Sequence, residues 1–392
     1  MTPYPAGDPF GPLDPSLDVP AHEGLGRLLG PDGRRSRGWR GLLGWSATSA
    51  PVALLLTAGI AFGPQGINLL SRGTLPLLEP VVPVALAALG VLVGLGVGDR
   101  RTDDRRVFGA ACLAAAVTML VVSAGFAVVP LAAMSSITRP FWMLILTAGI
   151  CAATSLTLPA GSSLEARAAA NRVIELSVLL PIVTGGLVLA WLGAGSSAGA
   201  AVLLARACGV TLALAAAAWL LLTRASSETE ERVFAVSALL LVGGVAAALA
   251  LSALFGGLVA GVFWRYAGRH PRDTISRDVL FVQHPLLVLV LLVAGARAEL
   301  SPASLALGAG YVVLRVVGQL GGGTIATRVA GVNAPRDLGL HLLPPGVFGA
   351  ALALNAVTIV GADASMLLAA VVAGTIGSEL VALLLHPRRV GE

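Results

Sequence analysis

Apolar runs of about 15 to 25 residues follow one another from residue 43 to residue 386, each near the ~20 residues a helix needs to cross a bilayer. Short stretches carrying prolines and charges separate them. In lipid the backbone must satisfy its own hydrogen bonds, so helix is the economical reading. The pattern predicts twelve helices, at 43–62, 75–97, 106–133, 140–158, 173–193, 199–222, 233–250, 253–267, 279–296, 302–326, 338–360 and 364–386. The division at Leu251-Ser252 is the finest of these, because 233–267 is otherwise nearly continuous. The fold class expected is an all-α polytopic membrane protein with about twelve transmembrane helices.

Residues 1–41 lack the pattern. Prolines at 3, 5, 9, 12, 15, 20 and 31 and scattered acids leave no apolar face, so a disordered tail is expected there. It has no apolar core behind a basic start, as a signal peptide would. The expected organisation is this tail, a transmembrane domain over 42–387, and a short tail over 388–392.

Composition narrows the class. A soluble domain has about 25% charged residues; this chain of 392 residues has 12%, with 56% hydrophobic residues and a mean hydropathy of +0.87. Its 48 glycines and 5% aromatics suit helices that pack closely in lipid. A soluble enzyme, a nucleic-acid binder and a secreted disulfide scaffold are excluded on these grounds. Cys112, Cys151 and Cys208 sit inside apolar runs without metal-ligand spacing and read as packing residues; no cofactor is expected.

Charge fixes the orientation. The net charge is +5, and all 26 basic residues are arginine. With the N-terminus inside, 21 arginines fall on the cytoplasmic side, while Arg72, Arg139 and Arg297 fall opposite and Arg206 and Arg315 lie within spans. One missing or extra span would invert every later loop and destroy this asymmetry. Both termini are therefore expected in the cytoplasm, with the chain in the inner membrane of a bacterium and the bilayer as its first partner.

Several phrases, in order, resemble the cation:proton antiporter (sodium/hydrogen exchanger) family. "AGIAFGPQGINLL" (58–70) resembles its G-x-x-x-GP-x-G-L opening, and "LSALFGGLVAGVFW" (251–264) its L-x-G-A-F-x-A-G helix. "HPLLVLVLLVAGARAELS" (284–301) is similar to its P-L-F-F-x-x-x-G-x-x-L-D-L-S segment. "VVLRVVGQLGGG" (312–323) and "GLHLLPPGVFGAAL" (339–352) are similar to its R/K-x-x-G-K-x-x-G and G-x-x-L-x-P-R-G segments. The resemblance runs from about residue 50 to the end. It implies an antiporter fold with inverted repeats and broken crossing helices, a core from helices 3–5 and 10–12, and exchange of Na+ or K+ for protons by alternating access. It also implies a homodimer. In the family the fifth helix carries an Asp-Asp or Asn-Asp pair; here that place falls near Leu180-Pro181-Ile182, without a carboxylate. A transport-inactive relative, acting as membrane sensor or assembly partner, is the alternative. An anion or organic-solute transporter with Arg315 as counter-ion is a third reading.

Exchange against protons needs a carboxylate inside the membrane whose proton and cation compete. The candidates are Glu79, Glu175 and Glu379 within spans, with Glu299 and Asp363 at their outer edges. Glu175 lies on the fifth helix, six residues before Pro181, which is ~9 Å toward the cytoplasm. It reads either as a displaced ion-binding acid or as an interfacial acid paired with Arg172. Pro181 has no N–H and frees the Ser177 carbonyl, and Ser177 and Thr184 add hydroxyl oxygens. Glu175, Ser177, Thr184 and that carbonyl form one candidate site.

Arg315 stands in the middle of the tenth helix, where an isolated cation costs at least ~2.5 kcal/mol. It matches the basic residue that the resemblance places beside the acidic pair. Arg206 reads as structural, Glu379 as a partner for a nearby arginine or serine, Glu79 as solvated or capping, and His284 and His341 as capping or interfacial residues.

Helix breaks point the same way. Pro344-Pro345-Gly346 must interrupt the eleventh helix. Thr154-Ser155, ahead of Leu158-Pro159, stand at the corresponding place of the fourth. Paired interruptions in inverted halves mark the midplane site of a secondary transporter.

Overall fold

A computed structural model describes residues 52–97, 104–128, 141–155, 172–330 and 338–385. The two expected tails, the first nine residues of the first predicted helix, Pro159 and the arginines of 99–101 and 388–389 lie outside them. Apart from one isolated antiparallel bridge, the described residues are helices and their connections.

The chain order is α1 (Val52–Phe62), α2 (Leu75–Leu78), α3 (Val81–Gly96), α4 (Asp104–Val128), α5 (Phe141–Ala152), α6 (Leu179–Ala194) and α7 (Ser197–Arg224). Then come α8 (Glu228–Ala248), α9 (Ala253–Tyr266), α10 (Arg269–Arg297), α11 (Pro302–Ala330), α12 (Leu338–Leu342), α13 (Val347–Val360) and α14 (Ser365–Leu385). Among the described residues, seven stretches are long and apolar enough to cross a membrane, and shorter apolar helices stand at Val52–Phe62, Trp142–Ala152, Ala253–Tyr266 and Val282–Arg297. One of the seven, Val347–Leu385, contains both α13 and α14, separated by the 3-10 turn Gly361–Ala364.

The predicted boundaries move where local chemistry competes with hydropathy. The run 75–97 divides because Pro80 and Pro83 crowd its start, and α3 begins behind Pro80. The division at Leu251-Ser252 is present: Ser252 Oγ accepts the Phe255 N–H and starts α9. Residues 269–278, expected as a loop, are the start of α10. Hydropathy detects only the apolar part of a helix, and the arginine-rich turns ahead of it continue the same ladder. The fourth predicted helix ends at Ala152, six residues early.

Packing follows two main sets of contacts, which also touch each other through α10 with α13 and α1 with α14. In one group α9 lies along α3, with α8 and α10 also against α3 and α1 against α10. In the other, α11 lies between α4 and α14, α5 packs on α4 and α6, and α13 packs on α5, α6 and α14. The α3–α9 contact depends on absent side chains: a Cβ on Gly257 would sit 2.0 Å from the Ala87 carbonyl oxygen. Gly90 and Gly94 on α3 face Gly257 and Gly261 on α9, the small-xxx-small spacing that lets membrane helices approach backbone to backbone.

Candidate functional site: the crossing of two interrupted helices

The double proline dictates the geometry. Pro344 and Pro345 have no N–H, so α12 cannot continue, and the chain runs non-helically over 343–346 before α13 starts. α5 ends at Ala152, and residues 153–155 leave the helix beside this break. Ser155 and Pro345 form the antiparallel bridge. Gly346 permits the approach, since a Cβ there would lie 2.8 Å from the Ser155 carbonyl oxygen.

Each break supplies partners for the other. The Leu342 carbonyl accepts the Ser155 hydroxyl at 2.7 Å. The Gly346 N–H reaches the Thr154 carbonyl at 3.4 Å. The Thr154 hydroxyl turns back to the Cys151 carbonyl at 3.1 Å.

Arg315 completes the accounting from α11. It is only 1% exposed. Its Nε donates to the Ala152 carbonyl at 3.1 Å, Nη2 to the Thr154 carbonyl at 2.8 Å, and Nη1 to the Leu343 carbonyl. The guanidinium fork thus ties both breaks together, and buried backbone acceptors that have lost their helical donors gain charged ones. Gln319, one turn further along α11 and equally buried, donates from Nε2 to the Ala152 carbonyl at 3.1 Å.

The structure therefore brings together Arg315, Thr154, Ser155, Pro344, Pro345 and Gly346. Glu175 and Ser177, just ahead of α6, and Pro181 and Thr184 on it make no described hydrogen bond to this group. Glu175 lies in the helical turn 172–177 with its side chain 57% exposed, and it accepts from Arg172 Nη1 at 3.3 Å. Pro181 interrupts the helix at Val178. Ser177 is buried, with its hydroxyl on the Ile174 carbonyl at 2.7 Å. Thr184 donates to the Leu180 carbonyl at 2.7 Å. α6 does pass close to the crossing helices at Gly185, where a Cβ would meet Leu352 of α13 at 2.9 Å and Ile150 of α5 at 3.5 Å.

The other charges have definite places. Glu79 is more than half exposed, in keeping with a solvated acid, and accepts from Arg297 at 2.7 Å, while Glu299 pairs with Arg72 at 3.1 Å. Glu379 accepts the Ala53 N–H at 2.7 Å, so the last helix caps the first, where sequence reading expected an arginine or serine partner. Arg206 and His284 are exposed. His341 is buried inside α12 and not at a helix start.

Two residues of this region were not legible as site residues in the sequence. Gln319 is signalled by its i, i+4 spacing from Arg315, which puts both on one helix face, and by standing where the R/K-x-x-G-K-x-x-G segment has its lysine. Asn355 is an isolated polar residue in the apolar α13; buried, it donates to Ser252 Oγ at 2.7 Å and so joins α13 to the start of α9.

No family model and no curated protein matches this chain. Among solved structures it is similar to the sodium/proton antiporter MjNhaP1 from Methanocaldococcus jannaschii at pH 8. The TM-score is 0.58 at 18% identity, over 88% of this chain and 97% of that one. The fold is that of a sodium/proton antiporter. Its apolar helices make the chain an integral membrane protein.

Proposed function

We propose that the chain is a secondary transporter that exchanges Na+ or K+ for protons by alternating access, with its substrate site at the crossing of α5 and α12–α13. The observation that carries this reading is the crossing itself. The end of α5 and the interruption between α12 and α13 meet there, and a charged side chain, Arg315, is retained in their midst despite the cost of placing it in a membrane. Irregular backbone at such depth is tolerated where it is buried in protein or lines a cavity. In this reading Thr154, Ser155, Ser177 and Thr184 supply oxygen ligands. Glu175 carries the proton near the cytoplasmic end, and Arg315 holds the crossing together while the site is without a cation. The chain makes twelve passes with both termini in the cytoplasm, as the arginine distribution requires, in a bacterial inner membrane and as a homodimer.

A second reading is a transport-inactive relative serving as a sensor or assembly partner. The specific observation in its favour is the position of Glu175, more than half exposed and engaged with Arg172. Glu175→Gln in proteoliposomes decides between them. It removes the titratable proton and keeps the shape. Loss of exchange in folded protein supports the proposed site; normal exchange eliminates Glu175. An inactive wild type leaves the second reading.

A further inference from the structure

A cavity of about 620 Å³ opens along one face of α9 between α6 and α7, and no residue of the crossing lines it. Its walls are almost wholly apolar, with Phe255, Leu258 and Val262 from α9, Val183 from α6 and Leu212 from α7. Residues 255 to 267 line it along α9, a run of about 18 Å at 1.5 Å per residue. That is close to the ~15 Å depth of one leaflet of hydrocarbon. The cavity is too long and too apolar for a hydrated ion, and it is an open groove on a bundle whose surroundings are lipid.

One end is built differently. There Trp219 donates from its indole nitrogen to the Ala267 carbonyl at 3.0 Å, and the neighbouring Tyr266 is largely exposed. A tryptophan and a tyrosine at one level mark the headgroup region of a bilayer. Positive charge follows on one bordering helix: Arg224 ends α7 five residues beyond Trp219 and is exposed, whereas Arg265 of α9 turns to α3 and donates to the Leu95 carbonyl at 3.4 Å. The other end, around Phe255, stays apolar.

We propose that this groove holds one acyl chain of an anionic phospholipid, with its headgroup at the Trp219–Tyr266 end beside Arg224. An apolar trough of leaflet depth, an aromatic pair at its mouth and positive charge beyond that mouth match the three parts of such a lipid in order. The occupant lies between α6, which belongs with the crossing helices, and α9 of the other group. It is a resident lipid in a lateral groove, independent of which ion is exchanged.

The test is native mass spectrometry of the full chain, extracted in mild detergent and supplied with phosphatidylglycerol or phosphatidylethanolamine of identical acyl chains. The wild type is expected to retain one phosphatidylglycerol per chain, favoured over phosphatidylethanolamine by about fivefold, the contribution of one arginine near an anionic headgroup. Val259→Trp, which fills the groove, should abolish retention of both lipids. Arg224→Gln, at an exposed helix end where misfolding is not a concern, should keep the lipid and lose the preference. The proposal is overturned if Val259→Trp retains lipid like the wild type. It is also overturned if the wild type does not distinguish the two headgroups, or if Arg224→Gln keeps the full preference.

Discussion

Removing the Arg315 guanidinium and the Gln319 amide together should destabilise the fold by more than the sum of the separate changes. Both groups donate to one acceptor, the Ala152 carbonyl at the end of α5. Gln319→Met leaves that carbonyl with Arg315 and loses one hydrogen bond, about 0.5–1.5 kcal/mol. Arg315→Met leaves Ala152 with Gln319 and Thr154 with the long bond from Gly346, so Leu343 is the acceptor that loses its described donor. An orphaned buried carbonyl costs about 1–3 kcal/mol, but the variant no longer holds a cation within the membrane, a relief of ~2.5 kcal/mol or more. Arg315→Met also gives up its charge-assisted bonds to Ala152 and Thr154, about 1.5–3 kcal/mol each, so its net effect is expected to be a loss of roughly 2–6 kcal/mol. In the double variant Ala152 loses both donors, and the additional loss is about 1–3 kcal/mol. Methionine suits both positions because it is unbranched and adapts to the vacated space. Equilibrium unfolding of the four proteins in mixed detergent micelles gives the double-mutant cycle. Additivity within about 0.5 kcal/mol, the scatter of independent sites, would refute the shared-acceptor account of the crossing.

Gly257→Ala is expected to lower stability by about 1–3 kcal/mol through overpacking against Ala87. Gly244→Ala, in α8 with open space around it, should raise it by about 0.5–1 kcal/mol through helix propensity; the midpoints of thermal unfolding test both. Glu379→Gln keeps an oxygen for the Ala53 N–H and should cost less than ~1 kcal/mol, whereas Glu379→Ala orphans that amide and should cost about 1–3 kcal/mol. Equal losses in the two variants would contradict the cap. Glu175→Gln breaks an exposed pair and should change stability by less than ~1 kcal/mol, so that any effect on flux is not a folding defect; a larger drop in unfolding midpoint would show that the ion pair is structural.

The helices, and the break at Pro344-Pro345, were legible in the sequence because both follow from local chemistry. Long apolar runs have one economical backbone in lipid, and two prolines remove two donors in succession. The split at Ser252 was only faintly marked, because 233–267 is nearly continuous in hydropathy, and the cap that makes it, Ser252 Oγ on the Phe255 N–H, is a structural finding. The α5 break was only half visible. No proline stands within 141–155, and the helix stops at Ala152 because the segment 343–346 provides other partners for Ser155 and Thr154. That is a tertiary effect. Arg315 was legible as a mid-helix charge, while Gln319 was not, since an uncharged amide in a helix gives no comparable signal. The partner of Glu379 could not be read at all: it is a main-chain amide 326 residues away. Glu175 shows the limit for acids, because hydropathy places it on a helix but does not say whether its carboxylate faces the crossing or the rim.

Ion flux through the purified chain tests the central claim most directly. Proteoliposomes carrying the wild type and an internal pH dye are given an inside-acid pH gradient, and sodium or potassium is added outside. Cation:proton exchange predicts alkalinisation of the interior on addition of one of these ions, absent from empty liposomes and from vesicles given choline. An interior that stays acid with sodium and with potassium, in protein whose folding is verified by its thermal unfolding transition, would contradict the account.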